Sequence, residues 1–151
     1  MLKVNRKIEY GLVALKHMAS KAPGQLTSVR EICDHYGTPF DPVAHVLRIL
    51  NSKDVVKSEQ GAHGGYRLVA DLSVVSFFQF IEMIEGNLAL TDCIREECVC
   101  TMKDRCNIIS PMRTLNDRLN TFLRSISLTE LLTTNTGVPG IEFDGLLQPS
   151  A

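Results

Sequence analysis

The chain has 151 residues, 44% hydrophobic and 22% charged, the size and balance of one globular domain with room for a dimerisation arm. No apolar run approaches the roughly 20 residues that span a bilayer. The basic start Met1-Leu2-Lys3-Val4-Asn5-Arg6-Lys7 is not followed by the apolar stretch of a secretory signal, so the expected location is the cytoplasm, with no membrane partner. The net charge of −1 conceals a split: residues 1–67 hold ten Lys/Arg against six Asp/Glu, and residues 68–151 hold six against eleven. A basic front joined to an acidic back suits a protein whose first half meets a polyanion.

In chain order, the first helix is expected to begin near Asn5, to carry Ile8, Leu12, Leu15 and Ala19 at helical spacing, and to end at Ala22-Pro23-Gly24. A second helix follows Thr27-Ser28, either of which can cap it, and stops at Gly37. Asp41-Pro42 reads as an N-cap followed by proline at the first helical position, opening a third helix to about Lys53 with Val43, Val46, Leu47 and Leu50 as its apolar stripe. Val55–Ser58 and Tyr66–Val69 flank a glycine-rich turn and read as a hairpin. Ser73 is taken to cap a fourth helix that reaches Glu85 and closes at Gly86-Asn87. Ile108, Met112, Leu115, Leu119, Phe122 and Ile126 then alternate at spacings of four and three. That is the seam of a helix packed lengthwise on a partner helix, favoured here as a dimerisation helix over a long core helix. Thr129 can cap a last short turn through Leu131-Leu132, and the Thr-, Gly- and Pro-containing tail is expected to be loosely ordered.

Helix, short turn, helix and hairpin make a winged helix-turn-helix, so the fold class is mainly α with a small β-hairpin wing. The expected division is residues 1–86 as the DNA-binding domain, 87–107 as a cysteine-rich loop, 108–132 as the dimerisation helix and 133–151 as the tail. The third helix would enter the major groove of double-stranded DNA. Candidate contacts are Thr38, His45 and Arg48 on or before that helix, Lys57, His63 and Arg67 on the wing, and Lys3, Arg6, Lys7 and Lys53 on phosphates. Asp41 is a mild objection, since a carboxylate repels phosphate.

Four of the five cysteines, Cys93, Cys98, Cys100 and Cys106, fall within fourteen residues, spaced C-x4-C, C-x-C and C-x5-C. In a reducing compartment such a cluster binds metal more often than it forms disulfides. Thiolate-rich sites favour zinc or iron–sulfur clusters, and the absence of paired C-x2-C spacing lowers the case for zinc. Arg95, Lys103 and Arg105 can offset the charge of a thiolate-ligated centre. An enzyme is not expected. Gly61, Gly64 and Gly65 lie in a hairpin rather than at a helix start, and His17, His35, His45 and His63 are scattered. A zinc-stabilised winged helix, a cluster-based electron carrier and a protein-interaction module stand as alternatives.

The chain resembles the winged-helix iron–sulfur transcriptional regulators, the family that includes NsrR and IscR, over roughly residues 2–132. The resemblance is carried by Glu9-Tyr10-Gly11-Leu12, Ala14-Leu15 and Met18-Ala19-Ser20, by Gly64-Gly65-Tyr66 with Leu68, by the cysteine loop, and by Phe122-Leu123 with Leu128-Thr129 and Leu131. It implies a homodimeric repressor in which three cysteines per subunit and one non-cysteine ligand hold a 2Fe–2S or 4Fe–4S cluster. DNA affinity would then respond to nitric oxide, redox or iron status. Cys93 and Cys106 match the outer ligands; Cys98 and Cys100 both remain open as the middle one. The histidine that IscR-like members place three residues after the last cysteine is Ile109 here, which cannot ligate. The first-helix acid of NsrR-like members corresponds to Glu9, placing the chain nearer that side.

Overall fold

The computed structural model describes residues 4–94, 100–102 and 105–133. Helix α1 (Arg6–Ala19) starts where Asn5 accepts a hydrogen bond from the Lys7 N–H, filling one of the donors a helix start leaves open. Its buried face is Ile8, Gly11, Ala14, Leu15 and Met18. Ala19, expected in that stripe, is exposed, and Met18 takes the inward position. Helix α2 (Val29–Tyr36) is capped by Ser28, whose hydroxyl accepts from the Glu31 N–H at 3.0 Å. It ends at Gly37 with φ 65°, a left-handed conformation that glycine adopts without steric cost.

Helix α3 (Phe40–Ser52) begins earlier than Asp41-Pro42 implies. Pro39 occupies the extended capping position, no side chain caps the start, and Asp41 lies inside the first turn, where a carboxylate faces the positive end of the helix dipole. Val43, Val46, Leu47 and Leu50 are buried as expected. Strands β1 (Val56–Glu59) and β2 (Gly65–Leu68) pair antiparallel, Val56 opposite Leu68 and Lys57 opposite Arg67, one residue from the expected bounds. Thr27 exchanges two backbone hydrogen bonds of 2.8 Å with Tyr66, stitching the wing to the α1–α2 connection. A Cβ on Gly65 would lie 2.6 Å from the Thr27 carbonyl oxygen, so this close approach requires glycine.

Helix α4 (Phe77–Glu85) is capped by Ser76, not Ser73. Ser76 and Gln79 form a reciprocal capping box, while Ser73 bonds back to Asp71. After a short 3-10 turn (Asp92–Ile94) comes α5 (Ile109–Ser125). It breaks at Ile126, whose backbone is extended, before α6 (Leu128–Thr133). Ser127, rather than Thr129, accepts from the Glu130 N–H at this last helix. The expected tail, residues 134–151, lies outside the described residues.

One core joins α1–α4, the wing and α6. Leu15, Ile32, Leu47, Leu50, Phe80 and Leu128 are fully buried within it. Leu128 therefore belongs to the head, although residues 108–132 were expected to act as one dimerisation unit. Backbone bonds from Phe77 to Ile126, Leu128 to Val75 and Thr129 to Leu72 fasten that junction to the start of α4. Gly11 nests against Val46 of α3 and Phe80 and Ile84 of α4; a Cβ there would lie 2.7 Å from the Phe80 ring. Helix α1 thus sits directly on α3 with no intervening layer.

Candidate nucleic-acid interface and cysteine centre

The outward face of α3 carries Asp41, His45, Arg48 and Ser52, all exposed. Alternation of this face with the buried stripe follows from the 3.6-residue period. The Arg48 Nε donates to the Ala44 carbonyl at 3.3 Å, folding that guanidinium along the helix surface. The side chains of His45, Lys53 and His63 make no ion pair or hydrogen bond among the described residues. Thr38 is different: its hydroxyl oxygen is shielded from solvent and has no hydrogen-bond partner, so it is not presented to a groove in this arrangement.

Three other candidate cations already hold carboxylates. Arg6 pairs with Glu9 at 3.0 Å, Lys57 with Asp54, and Arg67 Nε lies 2.8 Å from Glu59 Oε1 without hydrogen-bond alignment. The wing register explains why Lys57 and Arg67 each sit beside a carboxylate. Lys57 and Arg67 stand directly opposite, a repulsive arrangement of like charges. Asp54 at the strand entrance and Glu59 on the diagonal offset it. Such exposed pairs contribute only about 0–1 kcal/mol each, so a phosphate can displace the carboxylate at little cost. Lys3 lies outside the described residues.

The cysteine loop is held at its start by a residue that periodicity does not single out. Asn116, buried on α5, accepts the Leu90 N–H through its side-chain oxygen at 3.1 Å. Three residues later Cys93 sits on the 3-10 turn, half-buried, its sulfur 3.1 Å from the Thr91 hydroxyl. Cys100 and Cys106 are also half-buried, and none of the three is in a disulfide. Cys98 lies outside the described residues. Among the described residues of one chain, no three His, Cys, Asp or Glu side chains converge on a single metal ion. Glu9, on the first turn of α1, is half-buried and, among the described residues, its carboxylate is held by Arg6. The donor chemistry of Cys93, Cys100 and Cys106, soft sulfurs with partial access, fits a thiolate-ligated iron centre.

The α5 seam faces outward. Ile108, Leu115 and Phe122, one heptad apart, are 57%, 53% and 55% exposed, while Met112, Leu119 and Ile126 are half-buried. No helix among the described residues is long and apolar enough to cross a membrane.

A two-helix turn carrying cations on its second helix, followed by a β-wing on the same core, defines a winged-helix, DNA-binding transcriptional regulator. The chain belongs to the Rrf2 family of iron-dependent transcriptional regulators, which it matches over residues 4–134. It is similar in structure to CymR, the global cysteine regulator of B. subtilis, at 24% identity and a TM-score of 0.70, covering 90% of this chain and 100% of that one. The oxidized form of Staphylococcus aureus CymR matches at 19% identity and a TM-score of 0.65, over 90% and 100% of the two chains. IscR of T. potens matches at 23% identity and a TM-score of 0.60, over 87% and 86%. At these identities the solved structures establish the shared fold.

Proposed function

We propose that this regulator is a homodimeric repressor whose grip on its operator is governed by an iron–sulfur cluster. The ligands are Cys93, Cys106, one or both of Cys98 and Cys100, and Glu9 of the partner subunit. The observation that carries the reading is the trio of half-buried, unpaired thiols on a loop anchored to α5 by Asn116, in a family of iron-dependent regulators. The exposed seam from Ile108 to Phe122 supports pairing along α5, since it offers apolar surface at heptad spacing that the other described residues leave uncovered.

When bound, the cluster supplies reversible redox and nitric oxide chemistry. The protein's part is mechanical. Glu9 gives up only an exposed ion pair with Arg6 to ligate. Gly11, half a turn along α1, is packed against Val46 of α3. A pull on Glu9 therefore reaches α3 through rigid contact, and the spacing of two α3 helices on one duplex changes with it. A coupling of about 1–3 kcal/mol, roughly 5–150-fold in affinity, is typical of such linkage.

The test is anaerobic purification followed by iron and acid-labile sulfide analysis, an optical spectrum, and mobility-shift titrations of loaded and metal-free protein. Cys93→Ala and Cys106→Ala are expected to lose the visible chromophore, and Glu9→Ala to hold it less tightly while keeping the fold. A colourless zinc protein, iron-free protein that resists reconstitution, or DNA affinity indifferent to the cluster would overturn the proposal.

A further inference from the structure

Two large aromatic side chains stand exposed at the helix-turn-helix corner, and only one is accounted for by the fold. Tyr36, at the end of α2, gives its hydroxyl a partner in His17 Nδ1 at 3.1 Å and sets its ring edge-on to His35 at 4.5 Å between centroids. Phe40 is the first residue of α3 and is 51% exposed. Its ring meets no other aromatic ring among the described residues, and the buried stripe of α3 begins only at Val43. Phe40, Ala44 and Arg48 follow one another at i, i+4 and i+8, so they share a strip along the edge of the outward face. That strip runs from an aromatic ring, past a methyl group, to a guanidinium that already bends along the helix to the Ala44 carbonyl.

We propose that Phe40 is a specificity-determining residue that reads thymine in the major groove through its 5-methyl group, with Ala44 completing the apolar contact. The proposal rests on α3 being the reading helix, as proposed above. The N-terminal turn of a reading helix is the part that meets base edges. Of the groups the major groove displays, the thymine methyl is the apolar one, and phenyl rings and alanine methyls are its ordinary partners. Arg48 at the other end of the strip supplies the polar or phosphate contact, so the strip pairs an apolar reader with a cationic one.

The experiment uses full-length protein, with and without its metal, to select an enriched duplex from a random-sequence pool. Each thymine of that duplex is then replaced in turn by deoxyuridine, which removes the methyl and leaves base pairing intact. At one or more positions per half-site, wild-type affinity is expected to fall roughly fourfold, the worth of one buried methyl. Phe40→Ala should weaken binding of the thymine duplex and abolish the uracil penalty at those positions; Phe40→Leu should keep part of both. Near-ultraviolet dichroism checks that the variants stay folded, and the uracil scan of wild-type protein stands without them. No uracil penalty in the wild type, or an equal penalty in Phe40→Ala, overturns the assignment. Arg48→Ala separates the two levels. If it weakens binding while the Phe40 test fails, only the thymine contact is wrong. If neither Arg48→Ala nor Phe40→Ala alters binding, or if the pool yields no enriched duplex, α3 is not the reading helix and both readings fall.

Discussion

The winged head and the α5 arm are built on opposite plans. In the head, every helix from α1 to α4 turns a stripe of aliphatic or aromatic side chains into one core, and α1, α2 and α4 begin on a side-chain cap. In the arm, the only residue of α5 that is buried is an amide, Asn116, while Leu115 and Phe122 stand in water. Hydrophobic burial at about 25 cal/mol per Å² is the main favourable term in folding, and among the described residues Leu115 and Phe122 of α5 stay more than half exposed. The head holds the one core, and α6 completes it with Leu128 from beyond the arm. The arm turns Leu115 and Phe122 outward, while its inner side packs on α4, where Arg124 lies 4.0 Å over the Phe78 ring, and holds the start of the cysteine loop through Asn116.

The sharpest way to break that contrast is to replace one leucine in each region. Leu47→Ala in the head removes a fully buried side chain and is expected to cost about 2–5 kcal/mol in chemical denaturation. Leu115→Asp in the arm should change the stability of a single subunit by no more than about 0.5 kcal/mol, the range for exposed positions. It should nevertheless convert a dimer to monomers in analytical ultracentrifugation. Because two linked heads on one duplex gain roughly 10²–10⁴-fold over one, the same change should remove most DNA affinity. A Leu115→Asp protein that sediments as a dimer would mean that the seam is not the pairing surface.

A smaller effect tests the buried side of the arm. Asn116→Ala leaves the Leu90 N–H without its acceptor, which costs about 1–3 kcal/mol when the donor stays dry. The low end applies here, because the bond is only partly buried. The diagnostic readout is local: Cys93, three residues beyond Leu90, should react faster with a thiol reagent in metal-free protein. Unchanged Cys93 reactivity would show that the loop is held by other contacts.

Most of the head was legible because its signals are local. Ser28 with Gly37 brackets α2, and the stripe Val43, Val46, Leu47 and Leu50 identifies the buried side of α3. Three helix starts were misplaced, that of α3 because no side chain caps it, and those of α4 and α6 although their marks were present. Ser76 with Gln79 three residues on, and Ser127 with Glu130, are the spaced pairs of a helix start, and they outrank the isolated Ser73 and Thr129. The ion pairs of Arg67 with Glu59 and Lys57 with Asp54 could not be read in advance, since the first depends on strand register and the second on the turn before β1. Nor could Asn116, because its meaning lies in a backbone N–H 26 residues away. At the candidate site, the spacing of cysteines speaks to chemistry but not to which sulfurs converge.

The smallest expected effect lies at the junction of α1 and α2. Glu31 accepts from Lys21 and, at 2.9 Å, contacts His17 Nε2; these two partners hold its carboxyl below the usual carboxylate range, against a smaller opposing effect of burial. A carboxyl whose pKa is depressed on folding stabilises the native state above its unfolded pKa of about 4.3, and that contribution disappears as pH falls through the lower folded value. Since the Glu31 side chain is 40% exposed, screening keeps the pair within about 0–1 kcal/mol. Glu31→Gln should therefore lower stability slightly at pH 7 and flatten the acid limb of the stability curve below about pH 4.3, with no change between pH 8 and 9. An acid limb identical to the wild type would show that Lys21 and His17 find equivalent partners without this carboxylate, and that the packing of α1 on α2 owes nothing to charge.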